Sequence, residues 1–218
     1  MMRIHLLGQP SADVDGTPVP GIERSPKKLA ILAYLALHPA QKFVPREALL
    51  AQFWPESPEK PARHALSQSL HFIRQTFGAD ALITSGTQLV RLNPNTVGLD
   101  VREFEASFDR NDWQEVAQLY RGDLLEGITL EDSEAADWLD RERQRLRARA
   151  ADALWQHATA LLEDDADAAV HVAERAIICD PTREAACLAF LEAALQHKRI
   201  NAARTIATSF PAALARAT

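Results

Sequence analysis

Apolar and polar positions follow changing rhythms along this chain, and each rhythm predicts a different element. Met2 to Leu7 reads as a strand, and the Ala12 to Val19 region with Asp15-Gly16-Thr17 reads as a hairpin, so a small antiparallel sheet opens the chain. Ser25-Pro26 then begins a helix, in which Leu29, Leu32, Ala33, Leu35 and Ala36 recur at helical spacing and predict a buried scaffold. Lys27 and Lys28 beside them read as solvated. A second, packing helix runs from Pro45 to Trp54 with Ala48, Leu49, Phe53 and Trp54 apolar, and Pro55 ends it.

A third helix opens at Ser57-Pro58-Glu59, where a hydroxyl can cap free amides, a proline takes the first helical position and an acid meets the helix dipole. Ala62, Leu66, Leu70, Ile73 and Phe77 make one apolar stripe, and Gly78 stops it. The opposite face carries Lys60, His64, Ser67, Gln68, His71 and Gln75, flanked by Arg63 and Arg74, and holds no carboxylate past the first turn. A solvated face usually mixes both signs; hydroxyl, amide, imidazole and guanidinium groups without acids suit base edges and phosphates. Beyond Gly78, Ala81 to Thr84 and Gln88 to Leu92 flank Ser85-Gly86-Thr87, which reads as two strands joined by a glycine turn. Helix, helix and hairpin in that order predict a winged helix-turn-helix.

From Asp100 onward strand signals largely vanish. Asn93-Pro94-Asn95 makes the break, and Asp100 caps a helical region starting at Val101. The expected organisation is therefore α+β and then all-α, with a winged helix-turn-helix over residues 1–99 and a helical repeat domain over 100–218, docked across a short connection. Helices are expected from Asp112 to Leu119 and from Trp138 to Leu162, the latter with a charged middle whose Asp137 and Arg141, or Glu142 and Arg145, can pair on one face. Ala151 to Pro181 and Thr182 to Pro211 then read as two helix pairs, each closed by proline. Ala169, Ala173, Ala176 and Ala203 stand where helices approach closely, a tetratricopeptide-like pattern. The chain stops at Ala212 to Thr218, where either an atypical last helix caps the stack or further repeats are missing.

Charge sharpens this division. The net charge is −6, but residues 1–99 hold 10 basic and 7 acidic side chains, while the remainder holds 14 and 23. A mildly basic front and an acidic back suggest that nucleic acid is met by the front alone. The longest apolar run, Leu29 to Leu37, is too short to span a bilayer, and a cytoplasmic protein without membrane contact is expected. Cys179 and Cys187 lack metal-type spacing and read as reduced, buried thiols. Neither a phosphate loop, a dinucleotide fingerprint, HExxH nor a nucleophile elbow occurs, so no catalytic residue, cofactor or metal site is expected. His64 and His71, seven residues apart, are too distant for chelation at adjacent turns.

The whole chain resembles the SARP type of bacterial transcriptional activator, in which a response-regulator-type winged helix is joined to a bacterial transcriptional activator domain. The resemblance rests on Met2 to Gly8, Asp15-Gly16 with Val19, Lys28 to Pro39, Arg46 to Leu49 with Trp54-Pro55, and Ala65-Leu66 with Gln68, Leu70-His71 and Arg74. It continues through Tyr120 to Leu125, Trp138 to Leu146, and Asp180-Pro181 with Glu184 to Ala186. In place of the arginines common along that helix in the family, this chain has Ser67, Phe72 and Gln75.

On the leading reading the third helix enters the major groove of double-stranded DNA, with Lys60, Arg63, His64, Ser67, Gln68 and His71 at base edges. Lys42, Arg46, Arg74 and Arg91 would hold phosphates, while Ser85 and Thr87 at the wing tip probe the minor groove. Direct-repeat promoter sites, two protomers side by side on DNA and contact with RNA polymerase are implied by the resemblance alone. The alternative is a protein-interaction adaptor, with the winged helix as a docking module and the repeats as the functional groove.

Overall fold

The structure is a computed structural model and describes residues 2–22, 25–131 and 133–217. It begins with β1 (Met2–His5), which pairs antiparallel with β2 (Ser11–Val14), itself paired with β3 (Thr17–Pro18). A strand not expected from the sequence, β7 (Val97–Leu99), completes this sheet in the order β3-β2-β1-β7. It lies parallel to β1, with Met2 opposite Val97 and Ile4 opposite Leu99, so the sheet is mixed where an antiparallel one was expected. Three residues so soon after Asn93-Pro94-Asn95 give little strand signal, yet Val97 and Leu99 are buried on either side of Gly98.

Helix α1 (Pro26–Leu37) buries Leu29 to Ala33 together with Leu35 and Ala36, and β4 (Val44–Pro45) leads into α2 (Arg46–Phe53). Next comes α3 (Glu59–Phe77), whose whole predicted stripe is buried. Its start differs from expectation: Pro58 takes the cap position, no side chain caps the helix, and Ser57 lies outside it. Gly78 ends α3 at φ +98°, a conformation that favours glycine. After a short 3-10 turn, β5 (Leu82–Ser85) and β6 (Leu89–Leu92) form the predicted hairpin, and β4 adds to β6 in a three-stranded sheet, order β4-β6-β5.

The remaining described helices are α4 (Asp100–Asp109), α5 (Trp113–Leu119), α6 (Ser133–Leu161), α7 (Ala166–Cys179), α8 (Glu184–Gln196) and α9 (Ile200–Ala217). Two compact units result: residues 1–103 with 121–143, and 104–120 with 144–218. The first break falls near the boundary expected at Leu99, whereas residues 121–143 belong with the first unit. Within that unit Leu7 bridges Leu124, and the Gly8 amide donates to the Asp123 carbonyl at 2.9 Å. Arg143 braces the same turn by donating to the carbonyls of Leu124, Leu125 and Ile128. Trp138 completes an aromatic cluster, its ring 5.2 Å from Tyr34 of α1 and 6.1 Å from Phe53 of α2.

In the second unit α9 packs on α7 and α8 around Trp155, Phe190 and Ile206, and Ala169, Ala173, Ala176 and Ala203 are all buried as their spacing predicts. Alanine at these contacts removes side-chain bulk and brings helix axes together. Pro211, expected to close the second pair, instead lies inside α9. The helix runs through it because the apolar positions Ile206, Phe210, Ala213 and Leu214 continue to pack on both sides. Cys187 is buried and Cys179 partly so, and neither forms a disulfide; burial and the charge of Glu184 push the Cys187 thiol up.

Candidate nucleic-acid interface

Because the apolar stripe of α3 turns into the first unit's core, its polar side must face solvent. Lys60, Arg63, His64, Ser67, Gln68 and His71 are all exposed, so the six base-edge candidates share one accessible surface. Several are already held in place. Arg63 Nε donates to Glu59 Oε1 at 2.8 Å, one turn earlier, and the Ser67 hydroxyl donates back to the Arg63 carbonyl at 2.9 Å. Gln68 Nε2 donates to His64 Nε2 at 2.9 Å. Such pairs across one helical turn bias side-chain direction without tying the helix to its neighbours.

The cationic candidates fall into two groups. Lys42 is exposed in the turn before β4, its backbone amide donating to the Pro39 carbonyl at 2.8 Å. Arg46 and Arg74 are half-buried, and the Arg46 amide donates to the Gln88 carbonyl, fastening the start of α2 to the hairpin turn. Arg91 is committed inward: Nη1 donates to the Ala40 carbonyl at 2.7 Å and the guanidinium lies 4.9 Å over Phe43. It therefore braces β6 against the preceding loop. Ser85, Gly86 and Thr87 lie exposed at the hairpin tip, with Gly86 at φ +57°.

Other contacts differ from or add to the sequence reading. Lys27 and Lys28 are not simply solvated: Lys27 Nζ donates to the Phe53 carbonyl and lies over Trp54, and Lys28 Nζ sits 4.3 Å over Phe72. That stacking ties α1 to the edge of α3 and explains how Phe72 occupies a position next to a polar face. Glu59, the buttress of Arg63, was missed as a site residue although its four-residue spacing was legible. Arg102 caps α1 from α4, donating to the carbonyls of Leu35, Ala36 and His38; burial and then the nearby Arg91 charge push its pKa down.

Asp100, expected to precede the helix as its cap, is instead the first residue of α4. Its carboxylate accepts from the amides of Leu6, Leu7 and Val101, joining the end of β1 to the start of α4. Burial pushes this carboxyl up, against the three amides and His5. Among the described residues no group of three or more His, Cys, Asp or Glu side chains is placed to hold a metal ion. No described helix is long and apolar enough to cross a membrane.

The helical region marks the chain as one of a class of bacterial transcriptional regulators: the family model of the bacterial transcriptional activator domain matches residues 99–216. The chain is a member of that bacterial transcriptional activator domain family, as the SARP-type resemblance implied. The match covers more than half the chain and takes in residues 121–143, which cluster with the first unit. No curated protein matches the chain.

Proposed function

We propose that the chain is a sequence-specific DNA-binding activator, cytoplasmic and without catalytic activity, whose first unit is a winged helix-turn-helix. On this reading α3 lies in the major groove and presents Lys60, Arg63, His64, Ser67, Gln68 and His71 to base edges. The observation that carries the reading is the exposure of all six on the side of α3 opposite its buried stripe. Lys42, Arg46 and Arg74 hold phosphates, Ser85 and Thr87 enter the adjoining minor groove, and Arg91 acts by bracing the wing. The tetratricopeptide-like helices after residue 100 serve protein contact or oligomerisation, family membership favours RNA polymerase as a partner, and paired protomers on promoter direct repeats rest on the SARP-type resemblance alone. One small module makes few phosphate contacts, so a single protomer binds modestly.

The test is a titration of the full chain against duplexes selected from promoter DNA. Gln68→Ala or Arg63→Ala should erode discrimination by ~1–3 kcal/mol at particular base pairs. Failure to retard any duplex at low salt, together with capture of RNA polymerase or another protein by the helical region, would replace this reading with that of an adaptor.

A further inference from the structure

We infer that His64, grouped above with the base-edge residues, acts instead as a positioning residue that sets which edge of the Gln68 carboxamide meets a base, making Gln68 a reader of adenine. The inference rests on the DNA-binding role proposed above and assigns specificity within that helix. Both side chains are exposed and one turn apart on α3, and the contact between them is a single hydrogen bond from Gln68 Nε2 to His64 Nε2 at 2.9 Å. For that ring nitrogen to accept, the imidazole proton must sit on Nδ1.

A carboxamide offers two N–H donors and one accepting oxygen. One N–H is spent on His64, leaving the other N–H and Oε1 for a ligand. In the major groove adenine presents an accepting N7 beside a donating N6 amino group, which is the complement of that remaining pair. Guanine presents two acceptors, N7 and O6, and leaves Oε1 opposed to an acceptor. Were the amide turned so that Oε1 faced residue 64, both N–H groups would point outward and guanine would be preferred. Exclusion of water on binding strengthens the bond that makes this choice. Neither His64 nor Gln68 is part of the buried core, so substitutions here change the reading and not the fold.

The experiment compares, for the full chain, the affinities for its selected duplex with adenine and with guanine at the position Gln68 contacts, located by loss of preference in Gln68→Ala. The unaltered chain should prefer adenine by about tenfold, and replacing that adenine by 7-deazaadenine should weaken binding. His64→Ala should reduce the ratio to about twofold, because the amide is free to turn. His64→Glu, which accepts as the imidazole does, should keep the adenine preference while weakening every sequence alike. His64→Lys, which only donates, should draw Oε1 toward it and move the preference to guanine. An unchanged adenine-to-guanine ratio across the Ala, Glu and Lys variants would overturn the inference while leaving DNA binding intact. If the unaltered chain binds no duplex at all, the reading it rests on falls with it.

Discussion

Two aspartates show how one residue type is put to opposite uses. Asp180 sits between α7 and α8, where its carboxylate accepts from the Thr182 amide at 3.0 Å, the Thr182 hydroxyl at 2.6 Å and Arg183 Nε at 3.0 Å. Burial alone would raise its pKa, but these donors outweigh it and hold the group below the ordinary carboxylate value of 3.8. Its stabilisation is therefore present above that value and lost as pH falls through the lowered one. Asp180→Asn should cost about 1–2 kcal/mol at neutral pH, and in denaturant titrations the gap to the unaltered protein should close in acid. Asp100 has the opposite sign, because burial raises it: its ionisation costs stability as pH rises from 3.8 through the folded value. Removing it is nonetheless severe, since Asp100→Ala leaves the amides of Leu6, Leu7 and Val101 without their acceptor. A loss of about 2–4 kcal/mol is expected by the same titration. The place of Asp100 at the start of a helix was legible from the sequence, but its bonds to residues more than ninety positions away were not. Local patterns report local partners only.

At the scale of elements, legibility followed the length of the periodic signal. The five-residue stripe of α3 is long enough to fix which face is buried, and through it which six side chains stand exposed. Two-residue β4 and three-residue β7 have no period of their own, since they become strands by pairing with β6 and β1. Proline was misleading in α9. At Pro211 the missing N–H and the ring's conflict with the preceding turn disfavour a helix, and packing of Phe210 and Ile206 offsets that cost. Pro211→Ala should consequently stabilise the protein by about 1–3 kcal/mol, seen as a higher denaturant midpoint with an unchanged slope. A lower midpoint would show that the proline is matched to its site.

For the whole molecule the useful quantities are the division of the chain and the division of its charge. Trp138 belongs, by sequence, to a long charged helix, yet its ring closes the aromatic cluster of Tyr34 and Phe53 in the first unit. An isolated tryptophan near a charged run carries no sign of which unit it serves. Trp138→Ala should cost about 3–5 kcal/mol in thermal or denaturant unfolding. The basic excess of residues 1–99 does not carry over to the unit they fold into, because residues 121–143 bring it to 14 basic against 17 acidic side chains, so phosphate contact rests on individual cations such as Lys42 and not on the charge of the unit. Lys42→Ala should accordingly weaken binding to all duplexes alike and lower the salt slope by about one unit.

Whether the exposed side of α3 reads DNA is decided by selecting bound duplexes from a random pool. The selection should be run with the unaltered chain and with a variant carrying Arg63→Ala, His64→Ala and Gln68→Ala together. The unaltered chain should enrich a defined motif, whereas the variant should still hold DNA through its phosphate contacts but enrich no such motif. Recovery of the same motif by both proteins would contradict a reading role for α3.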